Sequence, residues 1–299
     1  MNKVGVVGIG DMGSGLAKNL LKAGFQVCGF DPSAERLAAF VEAGGAAMEA
    51  PSAVGAASEA VFVMVLNGRQ VQEVVLGTDG QGGLRAAMAP GSVIVLTATI
   101  KPEEAREVAS ALEGSGIDLV DTPVSGGFPG AQNGTLTMMA AGRDAALETA
   151  RPAMEAVSAT IHRVGEEAGM GQTVKACLQA LIGSVFSATF EASALAARAG
   201  VKGEVLHKVV STSSAGSVIT SGALENVIDR RFEGTGSHIN TMHKDLTISV
   251  DLARELGVPL FMAATAMQLF EAARTRYPEG DNQVVARIYE DIVGAGLKR

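Results

Sequence analysis

The stretch Val4-Gly5-Val6-Val7-Gly8-Ile9-Gly10-Asp11-Met12-Gly13 decides the fold. An apolar strand pattern runs directly into the glycine spacing G-x-G-x-x-G, and a helical pattern follows at once. Gly8 permits a tight turn, Gly10 lets the backbone approach a pyrophosphate, and Gly13 lets the helix pack on the strand. The free N–H groups at the start of the helix would face the phosphates. We therefore predict that a dinucleotide binds at Gly8, Ile9, Gly10, Asp11, Met12 and Gly13.

An acidic residue ends the second predicted strand: Asp31, followed by Pro32, lies 18 residues beyond Gly13. An acid about 20 residues after the loop binds the ribose hydroxyls of the adenosine. Asp31 would repel a 2′-phosphate, and no basic residue follows it immediately, although Arg36 lies one helical turn further on. NAD is therefore predicted over NADP, with Asp31 and Pro32 in the cofactor site. The alternative is a glycine-rich turn in which Asp31 only caps the next helix.

Short apolar runs and helical patterns alternate over residues 1–164. This alternation predicts a doubly wound, Rossmann-type α/β domain with a parallel sheet covered by helices on both faces. The predicted strands are Val4–Val7, Gln26–Phe30, Val61–Leu66, Ser92–Leu96, Ile117–Asp121, Thr135–Ala141 and Ala159–Val164. The predicted helices between them are Gly15–Ala23, Ala34–Ala43, Gln70–Val75, Glu103–Leu112 and Asp144–Val157.

The strand pattern stops after about Gly165, which predicts an all-helical domain over residues 165–299. Its first helix, Gly171–Ala199, is apolar nearly all round and must be buried on most sides. Because few aromatic residues are present, we expect another copy of the chain to help to bury it. The later predicted helices are Gly203–Thr212, Met242–Leu256, Leu260–Thr275 and Val284–Val293.

Composition excludes several classes of partner. The chain has 24 basic and 32 acidic residues, a net charge of −8, so we expect neither nucleic acid nor a membrane surface as a partner. The longest apolar run, Ala60–Leu66, is far below the ~18 residues of a membrane span. No signal-peptide pattern follows Met1, so the cytoplasm is expected. Cys28 and Cys177 are interpreted as reduced core thiols, and the four histidines lack metal-ligand spacing, so no metal is predicted.

A second glycine cluster follows the strand that ends at Asp121. The residues Ser125, Gly126 and Gly127 combine a hydroxyl with two consecutive glycines, whose N–H groups can turn inward as an anion nest. We predict that these three residues bind a substrate carboxylate. The alternative is a glycine-rich loop that only reverses the chain.

Lys175 stands in the long apolar helix with no acidic residue within one turn on either side. Burial of an ammonium is costly and lowers the pKa of a lysine, which suits proton transfer near neutral pH. Gln179, four residues later, shares the same helix face. Lys175 and Gln179 are therefore the predicted catalytic residues. The alternative is a lysine whose stem runs along the helix and whose ammonium reaches water.

Four motifs in this order resemble the β-hydroxyacid dehydrogenase family over essentially the full length of the chain. They are Gly8-Ile9-Gly10-Asp11-Met12-Gly13, Asp121-Thr122-Pro123-Val124-Ser125-Gly126-Gly127, Gly169-Met170-Gly171-Gln172-Thr173-Val174-Lys175 and Lys244-Asp245-Leu246. The resemblance implies that Lys175 is the catalytic lysine, that Ser125, Gly126 and Gly127 bind substrate, and that a homodimer or homotetramer forms. It also implies that Leu66, Asn67, Thr99 and Lys244 contribute to the cofactor site.

The resemblance implies an NAD-dependent oxidation of a short 3-hydroxy acid to a semialdehyde or keto acid, or the reverse reduction. The family usually has Asn where this chain has Gln179. In this respect the chain resembles the threonate-dehydrogenase-like branch, which has glutamine at this position, and the resemblance favours a polyhydroxylated acid as substrate. Leu178 and the stretch from Val95 to Ile100 also depart from the family pattern. An imine reductase and a non-catalytic dinucleotide sensor are the alternatives, against which the retained Lys175 and Ser125 count.

Overall fold

A computed structural model describes residues 1–78 and 81–299 of the chain. The described residues form two compact units, Met1–Lys175 and Ala176–Arg299. The long helix that begins at Met170 belongs to both units. For this reason the compact units do not test the predicted domain limits, 1–164 and 165–299, which stay a prediction.

The first unit is an α/β domain. Its strands are β1 (Lys3–Val7), β2 (Gln26–Phe30), β3 (Ala46–Ala47), β4 (Ala60–Val63), β5 (Gly77–Thr78), β6 (Gln81–Gly82), β7 (Val93–Leu96), β8 (Asp118–Asp121), β9 (Val124–Ser125), β10 (Leu136–Ala141) and β11 (Ser158–Gly165). Its helices are α1 (Asp11–Lys22), α2 (Ala34–Glu42), α3 (Pro51–Ala57), α4 (Gly68–Leu76), α5 (Leu84–Ala87), α6 (Pro102–Leu112), α7 (Gly127–Asn133) and α8 (Asp144–Val157).

Nine strands form one sheet in the order β11-β10-β8-β7-β4-β1-β2-β3, with β9 paired to β10. Helices cover both faces of the sheet, because successive side chains of β7 pack alternately in two different hydrophobic clusters. Val93 and Val95 pack in one hydrophobic cluster with residues of α1 and α8. Ile94 and Leu96 pack in a second cluster with residues of α3, α4 and α6. Burial on both faces explains why these strands are continuous apolar runs. The predicted doubly wound fold is confirmed.

The register of the central strands aligns their carboxyl ends. Val7 of β1 pairs with Phe30 of β2 and with Val63 of β4. Leu96 of β7 in turn pairs with Val63 and with Asp121 of β8. The glycine loop, Asp31 and the segments after β4, β7 and β8 therefore all leave the same edge of the sheet. In open α/β sheets this is the edge where ligands bind.

A parallel sheet was predicted, but the sheet contains antiparallel pairs and the prediction is wrong in this respect. The strand β10 runs antiparallel to β8 and β9, whereas β10 and β11 are parallel. Only residues 126–135 connect β9 to β10. A parallel crossover needs a dozen or more residues, so this short connection returns the chain in the opposite direction.

Several predicted boundaries are wrong. The predicted strand Val61–Leu66 ends at Val63, because its pairing stops there and the chain turns into Asn67, the N-cap of α4. The short helices α3, α5 and α7 were not predicted, and neither was a helix at Val218–Ile228 in the second unit.

The second unit is helical. After α9 (Met170–Arg198) follow α10 (Gly203–Thr212), α11 (Val218–Ile228), α12 (Ile239–Glu255), α13 (Phe261–Arg276) and α14 (Val284–Val293). Its core contains the rings of Phe186, Phe190 and Phe270; the first two stack with centroids 5.8 Å apart.

The helix α9 is only partly buried within one chain. Leu181 and Leu195 on it are 62% and 74% exposed, so the expected burial on most sides is not reached in the single chain. Within the described residues, α9 alone has the length and apolar composition of a membrane span, a test that the core helix of a soluble protein also passes. Cys28 is buried, but Cys177 on α9 is exposed, so the interpretation of Cys177 as a core thiol is wrong.

Candidate active site

The three glycines of the loop after β1 have different surroundings. Gly8 has φ +90° and its N–H donates to the carbonyl of Phe30 (2.9 Å). A Cβ on Gly13 would overlap the carbonyl oxygen of Gly8. A Cβ on Gly10 would meet only the Arg36 guanidinium, at 3.7 Å. The backbone conformation at Gly8 and the close packing at Gly13 therefore require glycine, whereas Gly10 leaves open space at the N-terminus of α1. The loop fits the pyrophosphate of a dinucleotide.

Asp31 is buried and connects the glycine loop to α2. One carboxylate oxygen accepts from the N–H of Ile9 (2.8 Å) and the other from the N–H of Ser33 (2.9 Å), the N-cap of α2. The suggested capping role is thus present, and it does not exclude ribose binding, because each carboxylate oxygen can accept more than one hydrogen bond. Arg36 reaches back to Asp31, with Nη1 3.6 Å from Oδ1. This positive charge weakens the repulsion that Asp31 alone would exert on a 2′-phosphate.

The other residues predicted for the cofactor site in this unit also follow carboxyl ends of strands. Pro32 is exposed beside Asp31, and Leu66 is exposed after β4. Asn67 uses its side-chain oxygen to cap α4 through the N–H of Gln70 (3.0 Å). Thr99 is half-buried after β7. Their role in cofactor binding stays a prediction.

Lys175 is buried, with 6% of its surface exposed. Its Nζ donates to the main-chain carbonyl of Val124, at 2.8 Å, immediately before Ser125. The alternative in which the ammonium reaches water does not describe this geometry. The adjoining glycines have positive φ, +130° at Gly126 and +59° at Gly127, and a Cβ on Gly127 would meet only Pro129, at 3.8 Å. The lysine and the predicted carboxylate-binding residues are thus brought together.

Asp121 was not singled out as a functional residue from the sequence. Its carboxylate is fully buried at the end of β8 and accepts hydrogen bonds from Gly169 N–H and from the side-chain Nε2 of Gln172, both at 2.8 Å. Burial raises the pKa of the Asp121 carboxyl to about 6, although hydrogen bonds from Gln172 and from the backbone of Gly169 and Gly171 oppose the rise. The sequence signal was an acid at the end of an apolar strand.

In the second unit, Gln179 and Lys244 meet at one carboxylate. Nε2 of Gln179 donates to Oδ2 of the buried Asp245 at 2.5 Å, and Nζ of Lys244 lies 2.9 Å from Oδ1. Because a carboxylate accepts hydrogen bonds, this contact identifies Nε2 as the atom of the Gln179 amide that faces Asp245. The helix α12 begins at Ile239, three residues before the predicted Met242, so Asp245 lies in its second turn. The described residues contain no cluster of three or more metal-ligating side chains.

Comparison with known proteins agrees with this geometry. Residues 3–165 match the NAD binding domain of 6-phosphogluconate dehydrogenase, and residues 169–289 match the NAD-binding domain of NADP-dependent 3-hydroxyisobutyrate dehydrogenase. The chain belongs to the β-hydroxyacid dehydrogenase family. L-threonate dehydrogenase of Escherichia coli K12 is 36% identical over 297 residues, which cover 99% of this chain and 97% of the relative.

Two further comparisons support the assignment to the β-hydroxyacid dehydrogenase family. The NAD-dependent L-serine dehydrogenase of Pseudomonas aeruginosa is 32% identical, over 98% of this chain and all of that relative. The crystal structure of 3-hydroxyisobutyrate dehydrogenase from Salmonella typhimurium superimposes with a TM-score of 0.88 at 33% identity, covering 96% of this chain and 100% of that one. The predicted family, fold, NAD cofactor and hydroxy-acid dehydrogenase activity are confirmed. The imine reductase and sensor alternatives receive no support from these relatives.

Proposed function

We propose that this β-hydroxyacid dehydrogenase oxidises a short polyhydroxylated acid of the threonate type, or reduces the corresponding carbonyl compound. The observation that carries the proposal is the buried Lys175 ammonium, 2.8 Å from the Val124 carbonyl and next to Ser125. It supports the proposal because the amine of Lys175, which can transfer a proton, then lies near two positive-φ glycines whose N–H groups can bind a carboxylate. The threonate class is supported by Gln179 and by the similarity to L-threonate dehydrogenase.

Different residues bind the substrate and transfer the proton. The hydroxyl of Ser125 and the N–H groups of Gly126 and Gly127 bind the substrate carboxylate. Lys175, as a neutral amine, accepts the hydroxyl proton at Nζ during oxidation, and as an ammonium returns it during reduction. Because Val124 accepts one N–H in either state, the lone pair of the neutral amine points away from that carbonyl.

The bound NAD supplies the hydride acceptor for the carbon that carries the hydroxyl. The glycine loop and the N-terminus of α1 hold its pyrophosphate, and Asp31 accepts from its ribose hydroxyls. Gln179, whose amide N–H donates to Asp245, is our candidate for the hydrogen bond to a second substrate hydroxyl. This arrangement favours acids with more than one hydroxyl group.

We also propose a cytoplasmic homodimer or homotetramer that forms through the helical unit. Leu181 and Leu195 on α9 and Phe261 and Met262 on α13 are large apolar side chains exposed in the single chain. Burial of such surface is the usual driving force for association. Light scattering at micromolar concentration tests this: a monomer mass would contradict it.

The activity test uses purified protein with NAD and a panel of acids: threonate, 3-hydroxyisobutyrate, serine and an alcohol without a carboxylate. We expect NADH formation with the acids, the highest kcat/KM with threonate, and none with the alcohol. A preference for 3-hydroxyisobutyrate over threonate would overturn the substrate class. Activity that survives in Lys175→Met would overturn the proton-transfer role.

A further inference from the structure

The buried pair of Asp121 and Gln172 joins three segments that each carry a predicted site residue. Gln172 has 1% of its surface exposed, and its amide makes three hydrogen bonds. Oε1 accepts from the N–H of Ile100 (3.0 Å), and Nε2 donates to the carbonyl of Ala98 (3.1 Å) and to Asp121 (2.8 Å). With both ends of the amide engaged, its orientation is determined. The pair thereby connects the segment of Thr99 to the segment before Ser125 and to α9.

The carboxylate of Asp121 anchors the beginning of α9. It accepts from the N–H of Gly169 at 2.8 Å and from that of Gln172 at 3.3 Å, groups at the helix N-terminus that have no carbonyl one turn earlier within the helix. A negative charge at this end is also favoured by the helix dipole. The first turn of α9 is thus capped by a residue 48 positions earlier in the chain.

The same turn has no freedom to move towards the sheet. A Cβ added to Gly171 would lie 2.6 Å from the carbonyl oxygens of Asp121 and Met139. The helix backbone therefore packs directly on the end of β8 and on Met139 within β10. Translation or rotation of the turn would break the hydrogen bonds of Gln172 or cause overlap at Gly171.

Lys175 follows Gln172 by three residues, one helical turn, and so projects from the same face. Its Nζ contacts Val124, three residues after Asp121. The first turn of α9 and the segment 121–124 are consequently joined at two points: at Asp121 by the cap and at Val124 by the ammonium. Displacement at the first point changes the distance at the second.

We propose that Asp121 and Gln172 are positioning residues for Lys175. The hydrogen bonds of Asp121 and Gln172 fix the Lys175 ammonium relative to the segment that carries Ser125. The inference rests on the proposed function, in which Lys175 transfers the proton. Neither residue touches the reacting atoms. Their effect is on geometry, where a misplacement of about 1 Å can lower a rate by about 100-fold.

The test is Gln172→Met, which keeps an unbranched side chain of similar length and removes all three hydrogen bonds. We expect kcat to fall by at least about tenfold, with KM for the acid and the Kd of NADH nearly unchanged. A second readout needs no activity: acetylation of Lys175 by acetic anhydride, followed by mass spectrometry, should become several-fold faster as the ammonium loosens.

Asn19→Leu is the matched control. Asn19 is also a buried amide that connects segments, since its Nδ2 donates to Gly15 and Ala131 carbonyls, both at 2.8 Å, far from Lys175 in sequence. It should lower Tm but leave kcat and the labelling of Lys175 unchanged. If Gln172→Met fails to fold, Asp121→Asn, which keeps the side-chain shape, provides the same readouts.

These experiments distinguish failure of the positioning role from failure of the proposed proton transfer. A Gln172→Met enzyme with lower Tm but unchanged kcat and unchanged labelling would overturn the positioning role. A Lys175→Met enzyme that remains active would overturn the proposed proton transfer, whereas the labelling rates would still report whether Gln172 positions the ammonium.

Discussion

The Nζ atom of Lys175 donates a 2.8 Å hydrogen bond to the carbonyl oxygen of Val124, 51 residues earlier in the chain. This bond holds the ammonium inside the protein, against the segment that continues into Ser125. The lysine is therefore positioned by main chain, close to the glycines that we propose as the carboxylate-binding site.

Replacement of Lys175 by Met should lower kcat by ~10²–10⁴-fold, the usual contribution of general acid–base catalysis, without a change in NADH affinity. Met keeps the length of the stem and removes the charge. Steady-state rates and calorimetric titration of NADH measure the two effects. Lys208→Met, an exposed lysine on α10, is the control and should keep the wild-type rate. Retention of more than about a tenth of the rate in Lys175→Met would transfer the role to another residue, with Lys244 as the next candidate.

The pair of Asp31 and Arg36 should set the choice between NAD and NADP. Asp31→Asn removes the charge that repels a 2′-phosphate, so the preference for NAD, measured as a ratio of kcat/KM values, should narrow. Arg36→Ala removes the cation 3.6 Å from Asp31 and should increase the preference for NAD over NADP. Arg36→Lys keeps the charge and is the control. A wild-type enzyme that is faster with NADP would contradict this role of Asp31.

Two glycines of the same loop should respond differently to alanine. Gly13→Ala forces a methyl group onto the Gly8 carbonyl and should lower the free energy of unfolding by about 1–3 kcal/mol. Gly10→Ala has no atom nearer than 3.7 Å and should change it by less than about 0.5 kcal/mol, yet weaken NADH binding. Denaturation curves and NADH titrations of both variants decide the matter. Equal loss of stability in the two would show that the Gly10 space is not kept for a ligand.

Gln179→Asn shortens the amide by one methylene and should break its 2.5 Å bond to Asp245. A hydrogen bond of this kind contributes ~0.5–1.5 kcal/mol, so kcat/KM for threonate should fall by about 3–10-fold relative to 3-hydroxyisobutyrate. The ratio of the two substrates is the quantity to measure, because a general loss of activity cancels in it. An unchanged ratio would remove Gln179 from substrate choice.

The Asp121 carboxyl, whose pKa burial raises from 3.8 to about 6, should make stability depend on pH. An acid with a raised folded-state pKa holds its proton more tightly when folded. The resulting stabilisation is complete below pH 3.8 and is lost as the pH rises through about 6. Relative to Asp121→Asn, the wild type should thus lose about 3 kcal/mol of unfolding free energy between about pH 4 and pH 7. Urea denaturation of both proteins across this range measures it; a constant difference would place the pKa near its ordinary value.

The sequence was most informative where local pattern and burial agree. The strand β1, the glycine loop and α1 could be predicted because a strand buried on both faces is an unbroken apolar run. The helix α7 was missed because it begins at Gly127 and contains Pro129, residues that signal a turn. The antiparallel direction of β10 followed from a connection too short for a crossover, which a search for strands alone does not weigh.

The contacts of the site were harder to predict because they join residues far apart in the chain. Lys175 was recognised by its apolar surroundings, but its partner Val124 contributes only main chain, which leaves no signature in a sequence. The start of α12 was predicted at Met242, whereas the helix begins at Ile239, so the buried Asp245 lies within the helix and not at its end.

The anchored first turn of α9 has a practical consequence for engineering. Gly171 and Gln172 leave no room for variation before Lys175, whereas Leu178 and Gln179 come a full turn later on the same helix. If Lys175 transfers the proton as proposed, we expect a saturation library at 178 and 179 to change substrate preference without displacing Lys175. We expect a library at 171 and 172 to give mostly inactive variants. In this proposal, the first turn of α9 fixes the position of Lys175, and the next turn offers positions at which substrate preference can be varied.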